Sequence, residues 1–130
     1  MKTDIDIKDD LFRFIRQSAL HSFITGWIYK TVRPTNSALE DVVISVLANA
    51  NQEIQEAIVY VNIYVKDILN DKTFVENTPR LREICRLSAD LFDVGSVGDA
   101  RINLQEQRVI KAETNEHVVS NKLLYKWYKY

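Results

Sequence analysis

The stretch from Ala57 to Val65, AIVYVNIYV, decides the fold of this 130-residue chain. Its residues alternate in character, as they do on the two faces of a β-strand. One face is wholly aliphatic and the other mixes aliphatic, aromatic and amide side chains: Ala57, Val59, Val61, Ile63 and Val65 against Ile58, Tyr60, Asn62 and Tyr64. We predict that the aliphatic face packs under helices and that Tyr60 and Tyr64 lie on the other side, because a shift of one residue would exchange the faces.

Further strands are predicted on both sides of this segment. Trp27-Ile28-Tyr29 indicates a short strand, and residues 41–48 (DVVISVLA) are rich in the β-branched side chains that favour strands. Toward the C-terminus, residues 101–111 and 118–128 are predicted as two strands joined by a turn. The sequence therefore predicts about five strands.

Two segments have helical periodicity. The first runs from Ile7 to about Phe23, and the second begins at Thr78-Pro79, a good N-cap followed by proline at the first helical position. In the second helix, Cys85 recurs with Leu81 at the spacing of the buried stripe. A loop through Asn70 and Asp71 is predicted before this helix, and the segment Gly95-Ser96-Val97-Gly98 is interpreted as a flexible link after it.

These elements predict one α+β domain spanning residues 1–130, in the order α-β-β-β-α-β-β. Its sheet is about five-stranded and mainly antiparallel, with both helices on one face. Two helices cannot cover both faces of such a sheet. The opposite face is therefore expected to meet water or another protein chain.

Composition narrows the classes of function. Seventeen Lys and Arg residues stand against 18 Asp and Glu, for a net charge of −1, so no overall positive field draws the chain to nucleic acid or to a membrane. We also find no apolar run long enough to span a bilayer and no apolar segment typical of a signal peptide. Cys85 is the only cysteine, which excludes an internal disulfide. These features predict a soluble protein folded in the cytoplasm.

No motif predicts a catalytic, metal or cofactor site. His21 and His117 are far apart in the chain, and Cys85 is expected to be buried and inert in the core. Three acidic groups, Asp4-Asp6-Asp9-Asp10, Glu40-Asp41 and Asp90-Asp93, are each interpreted as solvated charges and not as catalytic or magnesium-binding carboxylates. Three isolated glycines cannot form a phosphate-binding loop. A small enzyme is therefore the third of the functional hypotheses that we consider.

The C-terminal run alternates aromatic and basic residues, Tyr125-Lys126-Trp127-Tyr128-Lys129-Tyr130, with Lys122 before it. One hypothesis is that the aromatic rings stack on bases while the lysines hold phosphates. The other is a final strand with Tyr125 and Trp127 on one face and Lys122 and Lys126 on the other. The two hypotheses are compatible, since a strand can present such a surface to DNA or to another subunit.

In pattern, most of the chain resembles the small phage tail-completion or tail-terminator proteins, which join the tail tube to the head–tail connector. The segments that carry the resemblance are Gly26-Trp27-Ile28-Tyr29, Arg33-Pro34, and residues 41–48, 57–65, 81–92 and 101–128. The resemblance implies a homo-oligomeric ring, with a hexamer as one form, and no enzymatic activity. It also implies tail-tube and connector partners, and a location in the bacterial host cytoplasm and then in the virion.

The first hypothesis is thus a structural assembly protein of the tail-completion type. The alternative is an adaptor encoded by a mobile element that binds nucleic acid or protein through its C-terminal strand. A ring needs two different complementary patches on each subunit. The C-terminal strand and the loop at Arg33-Pro34 are the candidates, with the second face of the sheet adding further contacts. The predicted interface residues are Arg33, Pro34, Tyr60, Tyr64, Tyr125 and Trp127.

Overall fold

A computed structural model describes residues 1–128 of the chain. Within this range the helices are α1 (Asp4–Arg16), α2 (Ala19–Phe23) and α3 (Thr78–Phe92). The strands are β1 (Ile28–Lys30), β2 (Val42–Ala50), β3 (Ile54–Lys66), β4 (Ile68–Asn70), β5 (Thr73–Val75), β6 (Val94–Val97), β7 (Ala100–Lys111) and β8 (Glu116–Tyr128). The α+β class is as predicted, but the strand count and order differ from the prediction.

The main sheet has six strands in the order β1-β2-β3-β8-β7-β6. Only β1 and β2 pair in parallel, and the other neighbours are antiparallel. β3 lies near the centre and pairs with β8 from Ile54 opposite Tyr128 to Lys66 opposite Glu116. The segment AIVYVNIYV is thus the core of the longest pairing in the sheet.

The sixth strand, β6, replaces the flexible link predicted over residues 95–98. Gly98 has a positive φ of 61° and lies in the two-residue turn that brings β6 back along β7. Only glycine adopts this backbone conformation freely, as the first central residue of such a hairpin turn. Gly98 therefore acts in a hairpin here and not as a flexible spacer.

A second correction concerns residues 68–75, predicted as a loop. They form a separate two-stranded sheet in which β4 pairs with β5. Its turn residues Asp71 and Lys72 both have positive φ, 48° and 68°, as in the turn that suits a two-residue hairpin. The usual sequence signal is absent because neither residue is glycine.

The long first helix predicted from Ile7 to Phe23 is two helices. α1 begins earlier, at Asp4, because Thr3 and Asp6 form a reciprocal capping box. It ends before Ser18, whose hydroxyl donates to the Ile15 carbonyl oxygen at 2.6 Å and whose backbone is extended. This side-chain bond competes with the next helical backbone bond, so the helix stops and restarts.

The core lies between the helices and one face of the sheet, as predicted. The buried set includes Ile7, Leu11 and Ile15 of α1, Leu81, Ile84 and Phe92 of α3, and Ala57, Val59, Val61, Ile63 and Val65 of β3. Tyr60 and Tyr64 are half-buried on the opposite face. The predicted register of β3 is therefore confirmed. Within residues 1–128, no helix has the length and apolar character that crossing a membrane requires.

Candidate functional site

The face of the main sheet turned away from the helices is a candidate site, and we call it the open face. Pairing across β3, β8 and β7 brings alternate residues of the three strands together on it. Among residues 1–128, no helix packs on this side. The open face carries Ile58, Tyr60, Asn62, Tyr64, Lys122, Leu124, Lys126, Arg101, Asn103, Glu106, Arg108 and Ile110.

The open face has an apolar and aromatic middle with charged neighbours. Ile58 lies directly opposite Leu124, and Tyr60 lies opposite Lys122. A shallow groove of ≈ 180 Å³ runs beside Tyr60 and is lined by Tyr60, Glu106, Arg108, Ile110, Ser120 and Lys122. Aromatic residues surrounded by polar ones are typical of protein–protein interfaces. The open face is therefore suited to contact with another protein.

Arg33 borders the open face and is bound within its own chain. Its Nε donates to Asp41 Oδ2 at 3.0 Å, and its Nη2 lies 3.1 Å from Glu116 Oε2. The guanidinium also stacks over the Tyr64 ring, with 4.1 Å to the ring centroid. Asp41 is fully buried and accepts further bonds from the Trp27 backbone N–H and the Ser37 hydroxyl. Arg33 thus anchors its loop to the sheet, and these contacts occupy the hydrogen-bond donors of its guanidinium group.

Pro34 and Tyr64 line a larger groove beside the Arg33 anchor. Its volume is ≈ 530 Å³, and residues of the β7–β8 turn form its other wall. Asn62, also in this groove, has a side-chain oxygen that is buried without a hydrogen-bond partner. Buried polar atoms usually have hydrogen-bond partners, and Asn62 Oδ1 is an exception. The exposed Pro34 is the residue of the predicted loop patch that remains accessible.

Tyr125, a predicted interface residue, is inside the protein, and this prediction is corrected. It is fully buried, and its hydroxyl donates to Asp10 Oδ2 at 2.6 Å. Odd-numbered residues of β8 point toward the helices, so Tyr125 shares its face with the core residue Leu123. Burial raises the pKa of the Tyr125 hydroxyl above its ordinary value, and the hydrogen bond to Asp10 is the second cause of this increase. This tyrosine offers no surface to a partner.

Trp127 is half-buried and joins the same network through the N-terminal segment. Its Nε1 donates to Asp99 Oδ2 at 2.8 Å. Lys2 Nζ bridges Asp10 at 2.7 Å and Asp99 at 2.6 Å, and lies 5.5 Å from the Trp127 ring centroid. Hydrogen bonds from Lys2 and then from Trp127 lower the pKa of Asp99. Trp127 therefore has an intramolecular role, and a role between subunits remains a prediction.

The alternation of the C-terminal run separates its aromatic and basic groups. Lys122 and Lys126 lie on the open face, whereas Tyr125 and Trp127 face the helices. Two of the predicted stacking rings are therefore not beside the lysines that would hold phosphates. Lys129 and Tyr130 lie outside the described residues.

Cys85 is half-buried and not fully buried as predicted. It packs against the core but also lines an open, mainly apolar groove of ≈ 320 Å³. We call this the α3 groove, and its lining is Glu76, Thr78, Leu81, Arg82, Cys85 and Val109. Burial raises the pKa of the Cys85 thiol, which leaves less of the reactive thiolate at neutral pH.

We expect the Cys85→Ala variant to lose about 1 kcal/mol in the free energy of unfolding, a typical effect of one substitution, and to keep its fold. Thiol labelling of the natural protein should be slow at neutral pH and accelerate as pH rises toward the raised pKa. A labelling rate equal to that of a free thiol peptide at pH 7 would contradict the prediction of an inert Cys85.

The histidines are apart in space as well as in sequence. His117 Nδ1 lies 2.6 Å from Asp67 Oδ1, and the His21 ring packs edge-on to Trp27 with 5.1 Å between centroids. In the part of the chain that the structure describes, no group of three or more His, Cys, Asp or Glu side chains could hold a metal ion.

Asp10 and Asp41, interpreted from the sequence as solvated carboxylates, are buried and organise the two polar networks, and this interpretation is corrected. Sequence reasoning did not single out Lys2, which joins the network of Asp10. Asp41 meets Glu116 only through Arg33, and Asp10 meets Tyr125 across 115 positions of sequence. No local spacing signals contacts between such distant positions.

Comparison with known proteins gives a likeness of fold. No protein-family model matches the chain, and no curated protein matches it. Among solved structures, it is similar to a chain of one described as "Virion of native gene transfer agent (GTA) particle". The TM-score is 0.60, the sequence identity is 11%, and the match covers 92% of this chain and 92% of that chain. At this identity the likeness shows a shared fold.

Proposed function

We propose that this chain is a structural protein of a phage-like particle, of the tail-completion or tail-terminator type. The observation that carries the proposal is a fold shared over 92% of the chain with a component of a gene transfer agent virion. The order of predicted segments, from Gly26-Trp27-Ile28-Tyr29 to the two closing strands, points to the same class independently. The chain would act by binding copies of itself, tail-tube subunits and connector subunits.

The open face supplies a physical basis for this role. A standard interface takes about 800 Å² from each partner, which requires a broad surface more than a deep cleft. Three adjacent strands, β3, β8 and β7, provide such a surface with Tyr60 near its middle. Tyrosines in the centre of an interface tend to contribute strongly to binding. We therefore assign partner binding to the open face.

The absence of catalysis is part of the same proposal. Two charged groups of the larger groove, Arg33 and Glu116, are bound to each other, and Arg33 also pairs with the buried Asp41. Groups held in this way support the fold of the loop. Pro34 and Tyr64 would then meet a partner subunit and not a substrate.

The experiment is light scattering over a wide range of protein concentration, with and without isolated phage tail tubes. We expect assembly to grow with concentration or to appear on tubes, and Lys122→Glu to weaken it at least tenfold if the open face is the contact. The matched control is Arg16→Glu, which changes the charge equally at an exposed position on α1. A monomer under every condition, indifferent to tubes, would refute the proposal.

One observation favours nucleic-acid binding as a second function. Arg101 lies directly opposite Lys126, so two positive charges are neighbours on the open face, and Lys122 and Arg108 are on the same face. The phosphate groups of a bound nucleic acid would relieve the repulsion between these positive charges. Binding of single-stranded DNA that weakens steeply with salt, with a shallower salt slope in Lys122→Glu, would support it.

A further inference from the structure

The hairpin β4–β5, residues 68–75, is an apolar projection without a cover, and we call it the arm. Its strands hydrogen-bond only with each other within the described chain. Leu69 and Phe74 lie directly opposite each other, with exposed fractions of 63% and 45%. An isolated two-stranded hairpin is marginally stable in water. Such an arm gains stability when its apolar pair packs on another surface.

The α3 groove has the complementary character. Leu81, Cys85 and Val109 form its apolar floor, and Val109 is 41% exposed. The groove lies open between the first turns of α3 and the strand β7. The pair Leu69 and Phe74, one rung before the last of the hairpin, presents the kind of apolar surface that such a groove would bury.

The charges around the two surfaces also match. The arm's tip carries Asp71 and Lys72, and the rim of the groove carries Arg82 and Glu76. In residues 1–128, Asp71, Lys72 and Arg82 take part in no ion pair, and Glu76 approaches His117 Nε2 only at 3.9 Å. Opposite charges on both surfaces set the register and orientation of a contact.

The arm does not fill the groove of its own chain. No residue of the range 68–75 lines the groove, and Leu69 and Phe74 stay exposed although Glu76, next in sequence, is at its rim. The arm of a second copy of the chain has the matching apolar and charged groups and can occupy the groove.

We propose that the arm of one copy docks in the α3 groove of the neighbouring copy. Leu69 and Phe74 lie against Leu81, Cys85 and Val109, while Asp71 faces Arg82 and Lys72 faces Glu76. This contact rests on the self-association in the proposed function and adds a contact between copies to the one assigned to the open face. Because the arm and the groove are different surfaces, each copy offers one of each, so the contact runs head to tail and can close a ring.

The single native thiol of Cys85 makes this contact directly testable. In a Leu69→Cys variant, oxidation should link position 69 of one copy to Cys85 of the next and give multimers on a non-reducing gel. Peptide mass spectrometry should identify the 69–85 link. The multimers should vanish in Leu69→Cys/Cys85→Ala. A Gln52→Cys variant, with its thiol in the exposed β2–β3 turn, should give no 52–85 link.

A charge exchange provides the second measurement. Asp71→Arg should weaken assembly about tenfold, and the double variant Asp71→Arg/Arg82→Asp should recover affinity to within about threefold of the natural protein. Neither substitution is in the core, since both side chains are exposed. Circular dichroism of each variant verifies that it is folded.

The outcomes separate this proposal from the function on which it rests. Oligomers in light scattering without a 69–85 link, and without any effect of Asp71→Arg, would overturn the arm contact and leave the assembly function standing. A 69–85 link within one chain, or a link from position 69 to a tube protein, would show a different occupant and also overturn it. A chain that stays monomeric under all conditions would refute both the arm contact and the assembly function.

Discussion

We expect the Gly26→Ala variant to lose about 3 kcal/mol or more in the free energy of unfolding, as in a severe overpacking. A Cβ at position 26 would lie 2.2 Å from Asp41 Oδ1 and 2.5 Å from the Glu40 carbonyl oxygen. Neither atom can retreat freely. The Glu40 oxygen accepts the Gly26 N–H at 3.0 Å, and the buried Asp41 carboxylate is held by Arg33.

The control is Gly95→Ala. A Cβ at position 95 would meet Ile102 and Phe14 no closer than 3.6 Å, which is ordinary van der Waals contact. Urea denaturation should therefore show a large fall in midpoint for Gly26→Ala and a small change for Gly95→Ala. Equal effects of the two substitutions would contradict the close approach of Gly26 to the segment 40–41.

The Arg33→Met variant should be destabilised by about 3–5 kcal/mol, because it leaves buried carboxylates without their cation. Asp41 has no exposed surface and Glu116 is 8% exposed, so water cannot replace the guanidinium easily. Methionine keeps much of the contact with Tyr64, which isolates the loss of charge from the loss of packing.

Arg108→Met provides the comparison for Arg33→Met. Arg108 is exposed and lies 3.9 Å from the exposed Glu106, a pair expected to contribute little. In chemical denaturation, the free energies of unfolding of the two variants should differ by more than about 2 kcal/mol, because a buried ion pair costs more to break than an exposed one. A similar small loss in both would indicate that the loop 33–41 is not anchored through Arg33.

The faces of β3 could be predicted because the alternation persists over nine residues, Ala57 to Val65. Only one of the two faces is wholly aliphatic, so burial of apolar surface decides which face packs under the helices. The break at Ser18 could not, since the apolar spacing continues through it and a single hydroxyl bond to Ile15 decides the outcome. The arm was missed for a related reason. Asp71 and Lys72 adopt positive φ without the glycine that normally signals this turn.

The candidate site was predicted in part. The alternation in β8 correctly separates Tyr125 from Lys122, but sequence alone does not say which face of a strand the helices cover. The bond from Tyr125 to Asp10, 115 positions away, depends on the complete topology. For the same reason the ion pair of Arg33 with Glu116 could not be predicted, since the two residues are 83 positions apart, and an interface role of Arg33 stays a prediction.

The pairing of β3 with β8 also has a consequence for the kinetics of folding. The Asn121 side chain bonds the Val61 carbonyl across 60 positions of sequence, and every rung of this ladder joins comparably distant residues. Closing such large loops costs chain entropy before the contacts repay it, which slows folding. During synthesis, the edge of β3 that pairs with β8 must also keep its backbone groups unpaired until residues 116–128 have left the ribosome. We therefore expect refolding in milliseconds to seconds, visible as a tryptophan fluorescence change in stopped flow, and a demand for chaperones on the nascent chain.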